Sequence, residues 1–241
     1  MTITPTSPTT TAALDLRPFE PIVVDLYRDI HKGLRAELFA ATSEAGRLDP
    51  ADGTGRAALA SQVRDVIEVL VQHADHEDTH IGPALEAEVP ALAERIAGEH
   101  AVIEARMDQL TVLADDVVVA GGADRALAVH RLYLELATFT AEYLEHQDVE
   151  ERVVMPALQA VVGPEACAEI EHAIIASISP EDMARSLAFM LPAMDIDDRA
   201  ELLGGMQAGA PAEVFTQVWG LAASVLAPVD LDALGRRLGI A

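Results

Sequence analysis

The chain has 241 residues, enough for one large domain or a main domain with a small one, and 51% of them are hydrophobic, so a sizeable core can be buried. Alanine, leucine and valine dominate while aromatics make up only 4%, which favours packed helices over sheets. A formal net charge of −24 and a pI of about 4.4 set the chain against phosphate backbones and anionic surfaces, so neither nucleic acid nor a membrane is an expected partner.

Residues 1–17 read as a disordered tail. Met1–Thr11 is rich in threonine and proline and has neither the basic segment nor the apolar core of a signal peptide. No later apolar run is long and uninterrupted enough to span a bilayer. The lone cysteine, Cys167, permits no internal disulfide and no thiolate cluster, and is expected to pack as a small apolar residue. A reducing cytoplasm is the expected compartment.

Four long helical patterns follow, assigned to one domain over residues 18–162. The first runs from about Pro21 to Ala45, with Ile22, Val23, Leu26, Ile30, Leu34 and Leu38 on one face, and ends at Gly46. The second spans about Thr54 to Ala87. Its stripe of Leu59, Val63, Val66 and Leu70 passes without loss of phase into His73, Glu77 and His80. The third starts near Pro90, carries Leu92, Ile96, His100, Ile103, Met107 and Leu110, and stops before Gly121 and Gly122. The fourth runs from about Ala123 past Pro156, with Leu132, Leu136, Phe139, Tyr143, His146, Glu150 and Val153 in phase. Short connections make neighbours antiparallel, so the expected fold is all-α: an up-down-up-down four-helix bundle followed by a smaller C-terminal helical region.

That region, residues 163–241, opens at Gly163 and Pro164. Ser179-Pro180-Glu181-Asp182 is a helix start, with a cap, a proline in the first turn and acids facing the dipole. Pro192, Gly204–Gly205, Gly209–Pro211 and Pro228 punctuate three or four further helices. Phe189-Met190-Leu191-Pro192, Phe215 and Trp219 form either a small local core or a surface for a protein partner or self-association.

Two segments repeat. His73-Ala-Asp-His-Glu77-Asp78 is followed by Pro83-Ala84-Leu85, and His146-Gln-Asp-Val-Glu150-Glu151 by Pro156-Ala157-Leu158. A spacing of four places each His–Glu pair on one helix face, one turn apart. Single histidines on the other helices, His31 and His100, share the apolar phase, so every helix supplies an inward imidazole and two supply a carboxylate. Burying such groups without compensation would cost many kcal/mol. Imidazole with carboxylate suits a pair of iron or manganese ions in a bundle core, and the absence of cysteine ligands argues against structural zinc.

With Asp29-Ile-His31, the His73…Glu77…Pro83 segment, Glu99-His100 and His146…Glu150-Glu151…Pro156, the chain resembles the hemerythrin or HHE cation-binding family from about Phe19 to Leu158. The resemblance implies two iron ions, oxo- or hydroxo-bridged, with manganese as the alternative. His31, His73, His100 and His146 would be terminal ligands, and Glu77 and Glu150 would bridge or cap. Oxygen-carrying hemerythrins have a second histidine on the third helix, where this chain has Glu104. That residue is either an additional ligand or a solvated partner of Arg106. The departure shifts the expectation from simple oxygen carriage towards sensing, peroxide handling or oxygen activation. His80 is an additional ligand or a supporting group. Tyr143, one turn before His146, is either a packed tyrosine or a hydrogen-bond donor or redox relay at the centre.

The expected function is therefore a non-haem di-iron protein that binds or reacts with dioxygen, peroxide or nitric oxide. A di-iron oxygenase or oxidase acting on an organic substrate is the alternative. A zinc protease is a further one, because His76-Glu77-Asp78-Thr79-His80 reads H-E-x-x-H. That reading leaves His31, His100, His146 and the repeated Pro-Ala-Leu unexplained.

Overall fold

Four helices form a closed ring in the first two-thirds of the chain. The computed structural model describes residues 22–240, all of whose regular elements are helical. The proposed tail, residues 1–17, lies outside the described residues. Helix α1 is Arg28–Arg47, α2 is Gly53–His76, α4 is Pro90–Val119 and α5 is Asp124–Val149. Helix α3, Gly82–Glu88, continues α2, and α6, Met155–Val162, continues α5. Around the ring α1 packs on α2, α2 on α4, α4 on α5 and α5 on α1.

Helix α1 starts later than the sequence suggests. Asp25 intervenes: its carboxylate accepts the backbone N–H groups of Tyr27 and Arg28 at 3.1 and 3.0 Å, which caps a helix beginning at Arg28. The side chain of Gln159 holds Val23 and Val24 in the non-helical lead-in. Gly46 does not end the helix, which continues to Arg47. The last carbonyls of α4 are met by buried Arg56, whose guanidinium donates to Val117 O at 2.6 Å and Ala120 O at 3.0 Å.

The second and fourth helices of the ring each contain one π turn, at Glu77–Ile81 and Glu150–Val154. In both, an N–H reaches back five residues, from Gly82 to Glu77 O and from Met155 to Glu150 O. The cause is in the repeat. Pro83 and Pro156 have no N–H, and each ring would clash with the preceding turn of a regular α-helix, which the wider turn relieves. The turn also resets the face. Ile81 and Leu85 are buried after Glu77, and Val154 and Leu158 after Glu150, in place of the expected His80 and Val153. Steps of four drift about 40° each round an α-helix. One π turn absorbs that drift.

At Gly163, with φ of 85°, the chain turns by 115° into α7, Pro164–Ser177. Cys167 of α7 is buried with Tyr27, Ile81, Leu85 and Leu158 at one end of the bundle. Helices α8 (Pro180–Ala193), α9 (Ile196–Gly209), α10 (Ala212–Val225) and α11 (Pro228–Leu238) enclose a separate core of Leu187, Leu191, Leu203, Ala222 and Leu234. The Ser179 side chain accepts the Asp182 N–H at the start of α8, as the sequence leads one to expect. Pro192 sits inside α8 and Gly204–Gly205 inside α9, so neither breaks a helix. Phe215 and Trp219 pack on this local core, and Phe189 packs on the bundle core. Those side chains therefore line internal interfaces. Phe189 lies against Gly33 of α1, where a Cβ would come within 2.6 Å of its ring. Arg28 and Lys32 of α1 pair with Asp198 of α9, and Arg185 of α8 pairs with Glu68 of α2 at 2.9 Å.

Among the described residues no single helix is long and apolar enough to cross a membrane. One bent pair, Asp124–Val162 with Pro164–Ser177, meets such a test by length and composition, but Leu132, Leu136, Phe139, Met155 and Leu158 of that pair fill the cores just described.

Candidate metal centre

His31, His73, His100 and His146 come one from each ring helix, and Glu77 and Glu150 open the two π turns. All six are buried, His31 to 0% and Glu150 to 1% exposure. Their donor atoms fall into two groups, each with its atoms within 4.8 Å of one another. One comprises His31, His73, Glu77 and Glu150, the other Glu77, His100, His146 and Glu150. Both carboxylates belong to both groups. The Nε2 atoms of His31 and His73 face each other at 3.1 Å. Glu150 lies 3.3 Å from His31 Nε2, 3.6 Å from His100 Nε2 and 2.8 Å from His146 Nε2. Glu77 lies 3.3 Å from His73 Nε2 and 3.4 Å from His100 Nε2.

The imidazoles of His31 and His73 share a hydrogen bond, but the carboxylate contacts are close and poorly angled for hydrogen bonds. Both oxygens of Glu77, both of Glu150 and Nε2 of His100 are buried without a hydrogen-bond partner. Orphaned acceptors at this depth cost about 1–3 kcal/mol each, and more when charged. Lone pairs that converge on shared points, rather than on one another's protons, are what a pair of cations would satisfy. The residues present therefore fit the metal site that the sequence implies.

A second set of carboxylates fixes the imidazoles. His31 Nδ1 meets Glu151 at 2.9 Å, His100 Nδ1 meets Asp78 at 2.8 Å and His146 Nδ1 meets Glu99 at 2.9 Å. A carboxylate only accepts, so each of these Nδ1 atoms donates and each Nε2 is turned inward, where it offers a lone pair once its own proton is given up to a cation. Asp78 and Glu151 occupy the same place in the repeat, directly after the inward glutamate. Each reaches across to the single histidine of a neighbouring helix. Sequence reasoning missed this role, although an acid stands beside an inward ligand in all three cases.

Burial, and then Glu150, push Glu77 up to about 7. Burial pushes Glu150 the same way, but His100, His146 and His31 overcome it and hold that carboxylate well below its usual range. Burial lowers His73 to about 3, helped by His31. His31 and His100 feel the same burial, yet the adjoining carboxylates raise them to about 9 and about 11.

Tyr143 is buried beside His146, ring centroids 5.9 Å apart, and Tyr27 is buried beside His31 at 5.0 Å. Burial and the two central glutamates keep both phenols protonated. Tyr27 was not singled out from the sequence, because it precedes the true helix start.

Three residues considered from the sequence lie elsewhere. Glu104 is exposed, on the rim of a cavity of about 100 Å³ that also touches His100, His146 and Tyr143. His80 is half-buried outside both groups, because the π turn rotates it off the inward face. It neighbours His76, ring centroids 6.4 Å apart, while Glu77 points away from both into the bundle. The H-E-x-x-H segment thus gathers no shared metal position among the described residues.

Residues 22–158, more than half of the chain, match the family described as the hemerythrin HHE cation binding domain. The chain belongs to the hemerythrin HHE cation-binding family. No curated protein and no solved structure matches it. As a hemerythrin-family chain it is a helical, cation-binding protein, and its buried His/Glu clusters fit a metal site. Helices α8–α11 lie beyond the hemerythrin match.

Proposed function

We propose that this protein holds two iron ions and uses them to bind or react with dioxygen, peroxide or nitric oxide. The observation that carries the reading is the sharing of Glu77 and Glu150 by both ligand groups, which suits two cations bridged by two carboxylates. Manganese fits the same donors. Bound iron would supply redox change and a position for a small ligand.

The chain's own residues supply the rest. Nε2 of His31 and His73 would serve one ion, and Nε2 of His100 and His146 the other. Glu151, Asp78 and Glu99 hold three of those rings in register. The permanently charged Glu150 and the conditionally charged Glu77 adjust the site's charge to that of its cations. A cavity of about 300 Å³, walled by Leu85, Ala93 and Ile96 and reaching Tyr27, Glu77, His100 and Glu150, gives a diatomic or peroxide room beside the ligands while restricting water. The protonated Tyr27 and Tyr143 hydroxyls are hydrogen-bond donors at two sides. A reducing cytoplasm, where ferrous iron persists, is the compartment this reading fits.

The test is anaerobic loading with ferrous iron, followed by metal analysis and optical spectra before and after oxygen, peroxide and nitric oxide. Two irons per chain and oxidant-dependent charge-transfer bands that vanish in Glu150→Ala are expected. A protein that stays iron-free, or that binds one zinc in preference, sinks the proposal.

A further inference from the structure

A second cavity, of about 220 Å³, lies between the bundle and the helices beyond the hemerythrin match. Leu26, Ile30 and Val69 form its bundle wall. Ile174 of α7, Ile178 just past its end, Met183 and Met190 of α8, and Met206 of α9 close it from the other side. Tyr27, His73 and Glu77 line one edge, so the cavity abuts the candidate metal centre. The volume is of ligand size, since a dry apolar cavity of about 150 Å³ already holds benzene. Methionines supply adaptable, polarisable contacts to flat apolar molecules.

The charge pattern selects the occupant. Asp25, Asp29, Glu77, Glu171 and Asp182 are the acids around the cavity, and no lysine or arginine lines it among the described residues. Asp29 is neutralised by Arg28 at 2.8 Å, Asp25 is spent on the cap of α1, and Asp182 on that of α8. An organic anion would meet the carboxylates of Glu77 and Glu171 and no lining lysine or arginine, whereas a non-anionic hydrocarbon body would meet mainly aliphatic and thioether groups.

We infer that this cavity binds a small, non-anionic apolar molecule of one or two fused rings, with one edge against Tyr27, His73 and Glu77. Adjacency to bound cations rests on the function proposed above; binding of the molecule itself does not. Helices α7–α9 then serve as the cover of a ligand chamber built onto the bundle.

The experiment titrates the full-length, metal-free protein with naphthalene and with 1-naphthoate, followed by ligand-observed NMR. Saturable naphthalene binding is expected, with naphthoate at least about tenfold weaker. Ser186→Phe fills the cavity from α8 and Met206→Phe from α9, so one informs if the other fails to fold. Either variant, with its helical circular dichroism and cooperative melting retained, should lose naphthalene binding. Absence of saturation, equal affinity for the two ligands, or unchanged binding in a folded filled variant overturns the inference. Loading with manganese(II) separates the two readings. If metal binds and relaxes the protons of bound naphthalene, the chamber abuts the centre. If metal binds and naphthalene binds without relaxation, the edge assignment is wrong. If manganese does not bind, the ferrous loading described above judges the di-iron reading, and the metal-free titration still judges the chamber.

Discussion

The two copies of the repeat have the same pattern and unequal surroundings. In the first, His73–Glu77, the imidazole is driven to about 3 and the carboxylate to about 7, so at pH 7 without a cation the pair carries about half a negative charge. In the second, His146–Glu150, the carboxylate is held low and ionised and the imidazole is raised beside it, so the two groups favour opposite charges. The difference comes from the neighbours: Glu150 has three imidazoles around it and Glu77 has two. Duplication supplies the ligands, and the single histidines of α1 and α4 decide which copy carries charge.

The sharpest break of this comparison is deletion of a shared carboxylate. Glu150→Ala should leave almost no bound metal, because it strips both groups, whereas His73→Ala should retain about one ion per chain. Elemental analysis after loading decides, and retention of two ions by Glu150→Ala would refute the shared-ligand geometry.

Next come the outer acids. Glu151→Gln and Asp78→Asn should each weaken cation affinity by roughly 10–100-fold. Glu151 should cost more, since its side chain is 27% exposed against 61% for Asp78. Chelator competition measures both, and equal effects would show that burial does not separate the copies.

The second copy also leans on α1, which Gly33 holds against Phe189. Gly33→Ala should destabilise the protein by about 1–3 kcal/mol in urea unfolding. Gly98→Ala, in open space on α4, should instead stabilise it by about 0.5–1 kcal/mol.

The smallest effect is in protons. In the metal-free protein His31 (about 9) and His100 (about 11) are charged at pH 7, His73 (about 3) is not, and Glu77 (about 7) is about half protonated. Loading at pH 7 should therefore release about two protons from His31 and His100 and part of one from Glu77. Apparent affinity should rise with pH, and less steeply once pH passes about 9, where His31 gives up its proton unaided. Calorimetry in buffers of different ionisation enthalpy counts these protons. His73→Ala, which forfeits the ion that His31 would serve, should lower the count by about the one proton of His31.

Much of this was legible in the chain. The ring helices and the six convergent residues follow from apolar phase, because burial on one face forces the periodicity that reveals it. What escaped depends on backbone events that side-chain patterns record only indirectly. The prolines of the repeat were visible, but the π turns they induce were not, and with them went the positions of His80 and Val153. Asp25 moved the start of α1 and hid Tyr27. Glu99, Asp78 and Glu151 were quoted as neighbours of ligands, but their partners lie on other helices, a fact only packing supplies. Gly204 and Gly205 misled because neighbouring contacts override their weak helix propensity.

The π turns also bear on how this chain can change in length. Each is one residue more than a regular helix needs, inserted where Asp78 to His80, or their counterparts, loop away from the inward face. Losing Thr79 alone would restore ordinary winding: the deletion turns the downstream face by about 100°, the lost wide turn returns about 40° of it, and the net swing of about 60° takes Ile81 off the inward face. Substitution of the exposed Thr79 is cheap by comparison. Homologous chains that align here should therefore vary in the letter at Thr79 but not in spacing, and a one-residue gap between Glu77 and Pro83 would mark a relative whose centre is built differently.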